Sequence, residues 1–325
     1  MGRKSRSVNR DKPDRWKKDI VRSVDLFNEW FMEYAPQAFR DTRVQTARQV
    51  KEAMRVTENL AEIGPETLAA HPEALQILRM STCPPLARDR LIGLAHASAS
   101  LVKSIELRKR LPERMKPGVL KKELDRIAGT LRAMLDKDIF VWIERAQKPT
   151  EDETERAATI VADRLCGAVA DPIIRNAQEK RQLAAIAAWL DARGYRHVSH
   201  AERRDFRKME PRTYVFHLGI PVQLQGGKST VTIPADAVIM PADVPRSGLP
   251  VLVEAKSAGD FTNVNKRRKE EAAKMAQLRT TYGPNTRYVL FLCGYFDTGY
   301  LGYEAAEGID WVWEHRIDDL AKLGV

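Results

Sequence analysis

VTIPADAVIM (231–240), PADVPRSGLP (241–250) and VLVEAK (251–256) are the stretch whose reading decides the fold. Two short runs rich in Val and Ile flank a segment with three prolines and a glycine, the pattern of two strands joined by a loop. Side chains alternate along a strand, so Glu254 and Lys256 share one face while Val253 and Ala255 take the other. Asp236 interrupts the first apolar run between Ile233 and Val238, where an unpaired carboxylate is costly to bury and a cation is expected nearby.

Two carboxylates and a lysine at the end of a strand pair suit a magnesium-dependent phosphodiester hydrolase, because hard oxygen ligands hold Mg2+. A metal there polarises the phosphoryl oxygen and acidifies a bound water. Lys256 would orient or deprotonate that water, or offset charge on the phosphate in the transition state.

Working outward, TYVFHLGIPVQLQ (213–225), the turn GGK (226–228) and STVTIPADAVIM (229–240) read as a hairpin, with Gly226 and Gly227 supplying positive φ. Asp171-Pro172 reads as the opening of a helix that Gly194 closes. Its apolar stripe holds Leu183, Ile186, Ala187 and Leu190, and counting back along it reaches Glu179 and then Arg175. A charged pair on the core-facing side of a helix just before a sheet is unusual, and its ordinary account is an i, i+4 ion pair of Arg175 with Glu179. Beyond Lys256 the chain passes through a basic helix to the strongly apolar RYVLFLCGYF (287–296), and the order helix, strands, helix, strand gives an α/β core with a mixed sheet.

Upstream, from about Asp14 to Glu144, helix follows helix, apart from a short β-like run near Ile139. Trp16, Ile20, Val24, Phe27 and Phe31 recur at helical steps, and similar stripes run through Val44–Leu60, Pro72–Met80, Leu86–Leu94 and Val119–Leu135. The polar QKPTEDETE (147–155) marks the boundary between a mainly helical domain, residues 1–150, and the domain that carries the acids and lysine, residues 151–325.

Charge points to the partner. Lys and Arg number 54 against 44 acids, a net charge of +10 with pI near 9.5, which favours a polyanion. Nine Lys or Arg against three Asp between Met1 and Ser23 suggest a basic arm, mobile over its first dozen residues. Arg88 and Arg90 follow a Pro-Pro helix start and either meet phosphate or lie on a solvated face. Between Lys256 and Arg287 eight Lys or Arg face three acids, and Lys266, Arg267, Arg268 and Lys269 are consecutive, which helps hold a phosphate chain beside carboxylates.

Other classes lack their signatures. Cys83, Cys166 and Cys293 are odd in number and without CxxC spacing, against a disulfide framework or a structural zinc. No apolar run nears the roughly 18 residues of a membrane span, and the start lacks the apolar core of a secretory signal, so a soluble cytoplasmic protein is expected.

The Asp236 and Glu254-Ala255-Lys256 arrangement resembles the PD-(D/E)XK nuclease motif, with Pro234 one step earlier than the motif's name requires. Nucleases of that kind often carry an extra acid on the helix before the sheet, a place the resemblance gives to Glu179. EAKSAGDFTNVNKRRKEEAAKMAQL (254–278), LFLCGYFD (290–297) and YEAAEGIDWVWEHR (303–316) resemble the carboxy-terminal half of XamI-type restriction endonucleases. WKKDIVRSVDLFNEWF (16–31) and LRMSTCPPLARDRLIGL (78–94) resemble that family's front. The resemblance implies a type II enzyme cutting double-stranded DNA at a short fixed sequence with Mg2+, beside a cognate methyltransferase. Asp236 and Glu254 would then hold the metal, with Lys256 and Glu179 completing the catalytic set. Thr262, Asn263, Asn265 and Lys266, followed by Arg267 and Arg268, would approach DNA.

Such enzymes usually read palindromes, matched most simply by a two-fold homodimer. The same fold also hosts repair nucleases and junction resolvases, and a non-catalytic DNA-binding protein would keep the three residues for structure alone.

Overall fold

A computed structural model describes residues 7–145, 147–199, 206–223, 229–243, 248–261 and 264–325, with the side chains of 168–171 and 264–267 excepted. The chain forms two compact units, Pro36–Ile173 and a second made of Met1–Ala35 with Ile174–Val325. Both crossings fall at a proline inside a long helix. Helix α1 (Pro13–Val56) contains Pro36, and α7 (Glu151–Asp191) contains Pro172. Proline removes one ladder hydrogen bond and crowds the preceding turn, so each is a natural point for a helix to change partners. Asp171-Pro172 is therefore internal to α7 and does not open a helix as expected. Apolar positions continue on both sides of it, through Ala157, Val161 and Leu165 and then Leu183, Ile186 and Leu190.

The helical unit contains α2 (Pro65–Ala70), α3 (Ala74–Met80), α4 (Arg88–Leu94), α5 (Ala99–Arg108) and α6 (Pro117–Ala133), with the flanking parts of α1 and α7. Its core is aliphatic, gathering Met54, Leu75, Leu78, Leu91, Leu101, Leu131 and Val161 around Phe140. The β-like run near Ile139 is not a strand. Ile139 and Phe140 lie in a turn, both N–H groups donating to the Asp136 carbonyl, and their side chains plug the core.

The second unit is built on a six-stranded mixed sheet in the order β1-β2-β3-β4-β5-β6. The strands are Arg196–His197, Thr213–Gln223, Thr230–Met240, Val251–Ala258, Arg287–Gly294 and Asp310–Trp313. Strands β2, β3 and β4 run antiparallel, while β4, β5 and β6 are parallel, as is β1 to β2. The β2–β3 hairpin forms as expected; its turn, with Gly226 and Gly227, lies outside the described residues.

Helix α7 covers one face of the sheet, setting Leu183, Ile186, Trp189 and Leu190 against Ala237, Val253 and Phe291. Helices α8 (Val264–Tyr282) and α9 (Thr298–Ala306) pack on the other face, with Met275, Leu278 and Tyr300 beside Leu252, Leu290 and Trp313. Strand β5 is apolar on both faces, as a parallel strand between two helical layers must be. Gly294 ends it with φ of +101°, and a Cβ there would lie 2.2 Å from the Ala258 carbonyl oxygen, so no other residue fits.

The first 35 residues belong to this sheet unit, apart from the composition shift near Gln147–Glu155. The basic arm is anchored where it can be described. The Asp310 carboxylate accepts the N–H groups of Val8, Asn9 and Arg10, and Asn9 donates its side-chain amide to the Trp311 carbonyl. Trp16 packs edge-on against Trp311 at 5.4 Å, and Asp19 accepts from Arg316 at 2.7 Å. An expectation drawn from local charge could not foresee a partner 300 residues away.

Candidate active site

The site lies where β3 and β4 part. They pair as Val238 with Leu252 and Ala237 with Val253, and the next step of that register sets Asp236 across from Glu254. There the ladder stops, and the Asp236 Oδ2 accepts the Ala255 N–H at 2.8 Å in place of a backbone carbonyl. On the other side of β3, the pairs Phe216–Ala237 and Leu218–Ala235 set His217 across from Asp236. A row of three polar residues, His217, Asp236 and Glu254, thus crosses three strands that are otherwise apolar at this level.

Glu254 and Lys256 face α8, as the alternation required. Lys256 Nζ lies 3.0 Å from Glu254 Oε1 and 3.7 Å from Glu271 Oε1. Lys274, one turn along α8 from Glu271, donates to the same Glu254 Oε1 at 2.6 Å. Glu254 Oε2 is buried and has no hydrogen-bond partner. On the opposite face Ala255 packs into the apolar layer under α7, also as expected.

Glu179, on α7, reaches the same place from the side. Its carboxylate, the His217 imidazole and the Asp236 carboxylate present ligand atoms within 4.8 Å of one another. The Glu179 Oε1 to His217 Nδ1 distance is 3.7 Å.

The electrostatics are those of crowded acids short of cations. Burial, reinforced by the charge of Glu254, pushes the Asp236 carboxyl up to about 6. Burial alone would lower the Lys256 ammonium, but Glu254 and Glu271 outweigh it and hold the group above the ordinary lysine value. Lys256 is therefore protonated in this state and acts as a fixed positive charge. Behind it, burial and then the neighbouring Glu271 push Glu304 up to about 9, so Glu304 keeps its proton at neutral pH. Glu271 accepts from the Tyr300 hydroxyl at 2.8 Å and is itself raised by burial.

A divalent cation fits this donor set. Burial first and then neighbouring negative charge disfavour the Asp236 anion, and Glu254 Oε2 is a buried oxygen without a hydrogen-bond partner among the described residues; a hard cation relieves both.

The family's sequence profile, described as XamI restriction endonuclease, matches residues 58–313. The chain belongs to the XamI restriction endonuclease family. It is accordingly a site-specific endonuclease whose substrate is DNA. It is also similar to the type II restriction enzyme SalI of Streptomyces albus G, with 53% identity over 317 residues covering 98% of this chain and 99% of that protein. No solved structure gives a significant match.

The expected DNA-contacting residues of this endonuclease are placed unevenly. Thr262 and Asn263 lie outside the described residues, and Asn265, Lys266 and Arg267 are described only as backbone in the first turns of α8. Arg268 lies over the Tyr303 ring at 5.1 Å. Arg88 and Arg90 start α4 in the helical unit, where Arg88 donates to Glu106 at 2.9 Å and Arg90 is exposed. Among the described residues no helix is long and apolar enough to cross a membrane.

His217, Lys274 and Glu271 were missed from sequence. His217 was visible as a polar break in TYVFHLGIPV, but its partner is set by cross-strand register. Lys274 and Glu271 sit in KEEAAK, where they count only among the charges of the basic helix until β4 is packed beneath it.

Proposed function

We propose that the chain is a type II enzyme that hydrolyses both strands of double-stranded DNA at a short sequence using Mg2+. Asp236 and Glu254 hold the metal, Lys256 is the electrostatic catalyst and Glu179 the accessory acid. The observation that carries this reading is Glu254: almost fully buried, with two ammonium groups on one oxygen and none on the other.

When bound, Mg2+ supplies Lewis-acid polarisation of the scissile phosphate and a water of lowered pKa. The protein does the rest. The Ala255 N–H fixes one Asp236 oxygen and so holds the carboxylate in place. Glu254 and Glu271 aim the Lys256 ammonium, which stabilises charge developing on the phosphate and orients the attacking water. The row's position at the splayed end of two strands leaves Asp236 partly open to substrate.

Thr262, Asn263, Asn265, Lys266, Arg267 and Arg268 are proposed to approach the duplex, with Arg90 a further phosphate contact. Arg88, already spent on Glu106, is the weakest of the set. Similarity to a type II restriction enzyme supports a homodimer, one site per strand of a palindrome, with residues 1–150 contributing to recognition or dimerisation. It also supports a cytoplasmic setting beside a protecting methyltransferase.

The test is digestion of a sequenced plasmid with and without Mg2+. Discrete fragments with common ends are expected only with the metal, and Asp236→Asn should yield none. A smear would favour a repair or resolving nuclease.

A further inference from the structure

The imidazole of His217 has no part in the roles assigned so far. We propose that His217 is a ligand of the catalytic cation, joining Asp236 and Glu179 to give the site one nitrogen donor; this rests on the reading of Asp236 and Glu254 as metal-holding residues. Two atoms bound to one ion at about 2.1 Å each stand roughly 3.0 Å apart when adjacent and about 4.2 Å when opposed. The three side chains offer atoms within 4.8 Å of one another, with His217 Nδ1 already 3.7 Å from Glu179 Oε1, so small side-chain rotations complete the set.

The second observation lies on the far side of Asp236. Glu254 is 5% exposed, and its unpartnered Oε2 belongs to the residue across from Asp236 on β4, so the cluster adjoins a buried oxygen that lacks a partner. Chemistry separates this arrangement from an all-oxygen site. Imidazole suits the later first-row metals better than Mg2+, so His217 should bias the site toward Co2+ and Ni2+, while Mn2+ serves as the paramagnetic reporter.

The experiment uses the full chain loaded with Mn2+ and read by electron spin echo envelope modulation, which detects a directly bound nitrogen. The wild-type protein should show nitrogen modulation. His217→Gly should lose it and bind Mn2+ at least about tenfold more weakly. His217 has φ of +52°, which glycine and asparagine tolerate, so His217→Gly and His217→Asn should both fold. Bound Mn2+ without nitrogen modulation, modulation that persists in His217→Gly, or unchanged Mn2+ affinity would each overturn the proposal. Mn2+ affinity unmoved by the paired Asp236→Asn, Glu254→Gln change would instead overturn the site beneath it, and the two failures are distinct.

Discussion

Glu106 in the helical unit and Glu254 in the sheet unit are built from the same parts and come to different ends. Each is an almost fully buried glutamate met by two cationic side chains. Glu106 is saturated: Arg79 takes Oε1 at 2.7 Å, and Arg79 and Arg88 share Oε2 at 3.3 and 2.9 Å. Glu254 is not, for both lysines crowd Oε1 and Oε2 is left with nothing. Guanidinium forks satisfy both oxygens of a carboxylate, whereas ammonium groups are point charges that can converge on one. The first arrangement locks helices together. The second stores an unmet demand for positive charge, which is what a site that must accept a cation requires.

If that contrast is right, the largest effect belongs to the sheet unit. Glu254→Gln and Lys256→Ala should each cut DNA cleavage by about a thousandfold or more, as loss of a group acting on the transition state does. Circular dichroism and DNA binding should change little. Either variant cleaving at the wild-type rate would break the comparison. In the helical unit the effect should appear in stability instead. Glu106→Ala leaves Arg79 without its carboxylate beneath a largely buried surface and should cost about 3 kcal/mol, read by denaturant unfolding of the full chain. Cleavage by the folded fraction should be preserved.

Glu271→Gln sharpens the contrast by testing the shell behind Lys256. The amide keeps a partner for Tyr300 but loses the charge that attracts Lys256, so Glu271 acts as a positioning residue. A roughly tenfold fall in kcat with KM unchanged is expected, because the ammonium would sit less accurately in the transition state. A change in KM alone would assign Glu271 to binding.

The pairing of Glu254 with Lys256 was legible in sequence because strand alternation is local: once VLVEAK is a strand, the two share a face. The mixed sheet followed from the order of helices and strands. What was hidden is what only folding brings together. His217 meets Asp236 through hairpin register, Lys274 meets Glu254 through the seating of α8, and Val8 to Arg10 meet Asp310 across nearly the whole chain. Pro172 misled for a related reason, since an N-cap signal says where a helix can begin and not that the preceding residues are unwound. Arg88 looked like a free cation because Glu106, its acceptor, lies on the next helix.

A last effect, on stability and not on cleavage, concerns the proton on Glu304. This carboxyl is held up to about 9 against an ordinary 4.5, by burial first and then by Glu271; Glu307 and the phenols of Tyr300 and Tyr288 also face it, and Arg268 pulls the other way. Below about pH 4.5 the folded and unfolded chains both carry the proton, and the fold has its full stability with respect to this group. As pH rises toward 9 the unfolded chain releases the proton while the folded chain keeps it, so stability falls through that window and levels off above it. Glu304→Gln, neutral at every pH, should therefore lose less Tm than the wild type between pH 5 and pH 9, with the two curves closest at the acid end. Glu271 is raised too and has the same sign, so the variant's curve should flatten without becoming level. Parallel curves would mean that Glu304 is ionised in the fold, and Glu271 would then share its buried surroundings with a second negative charge.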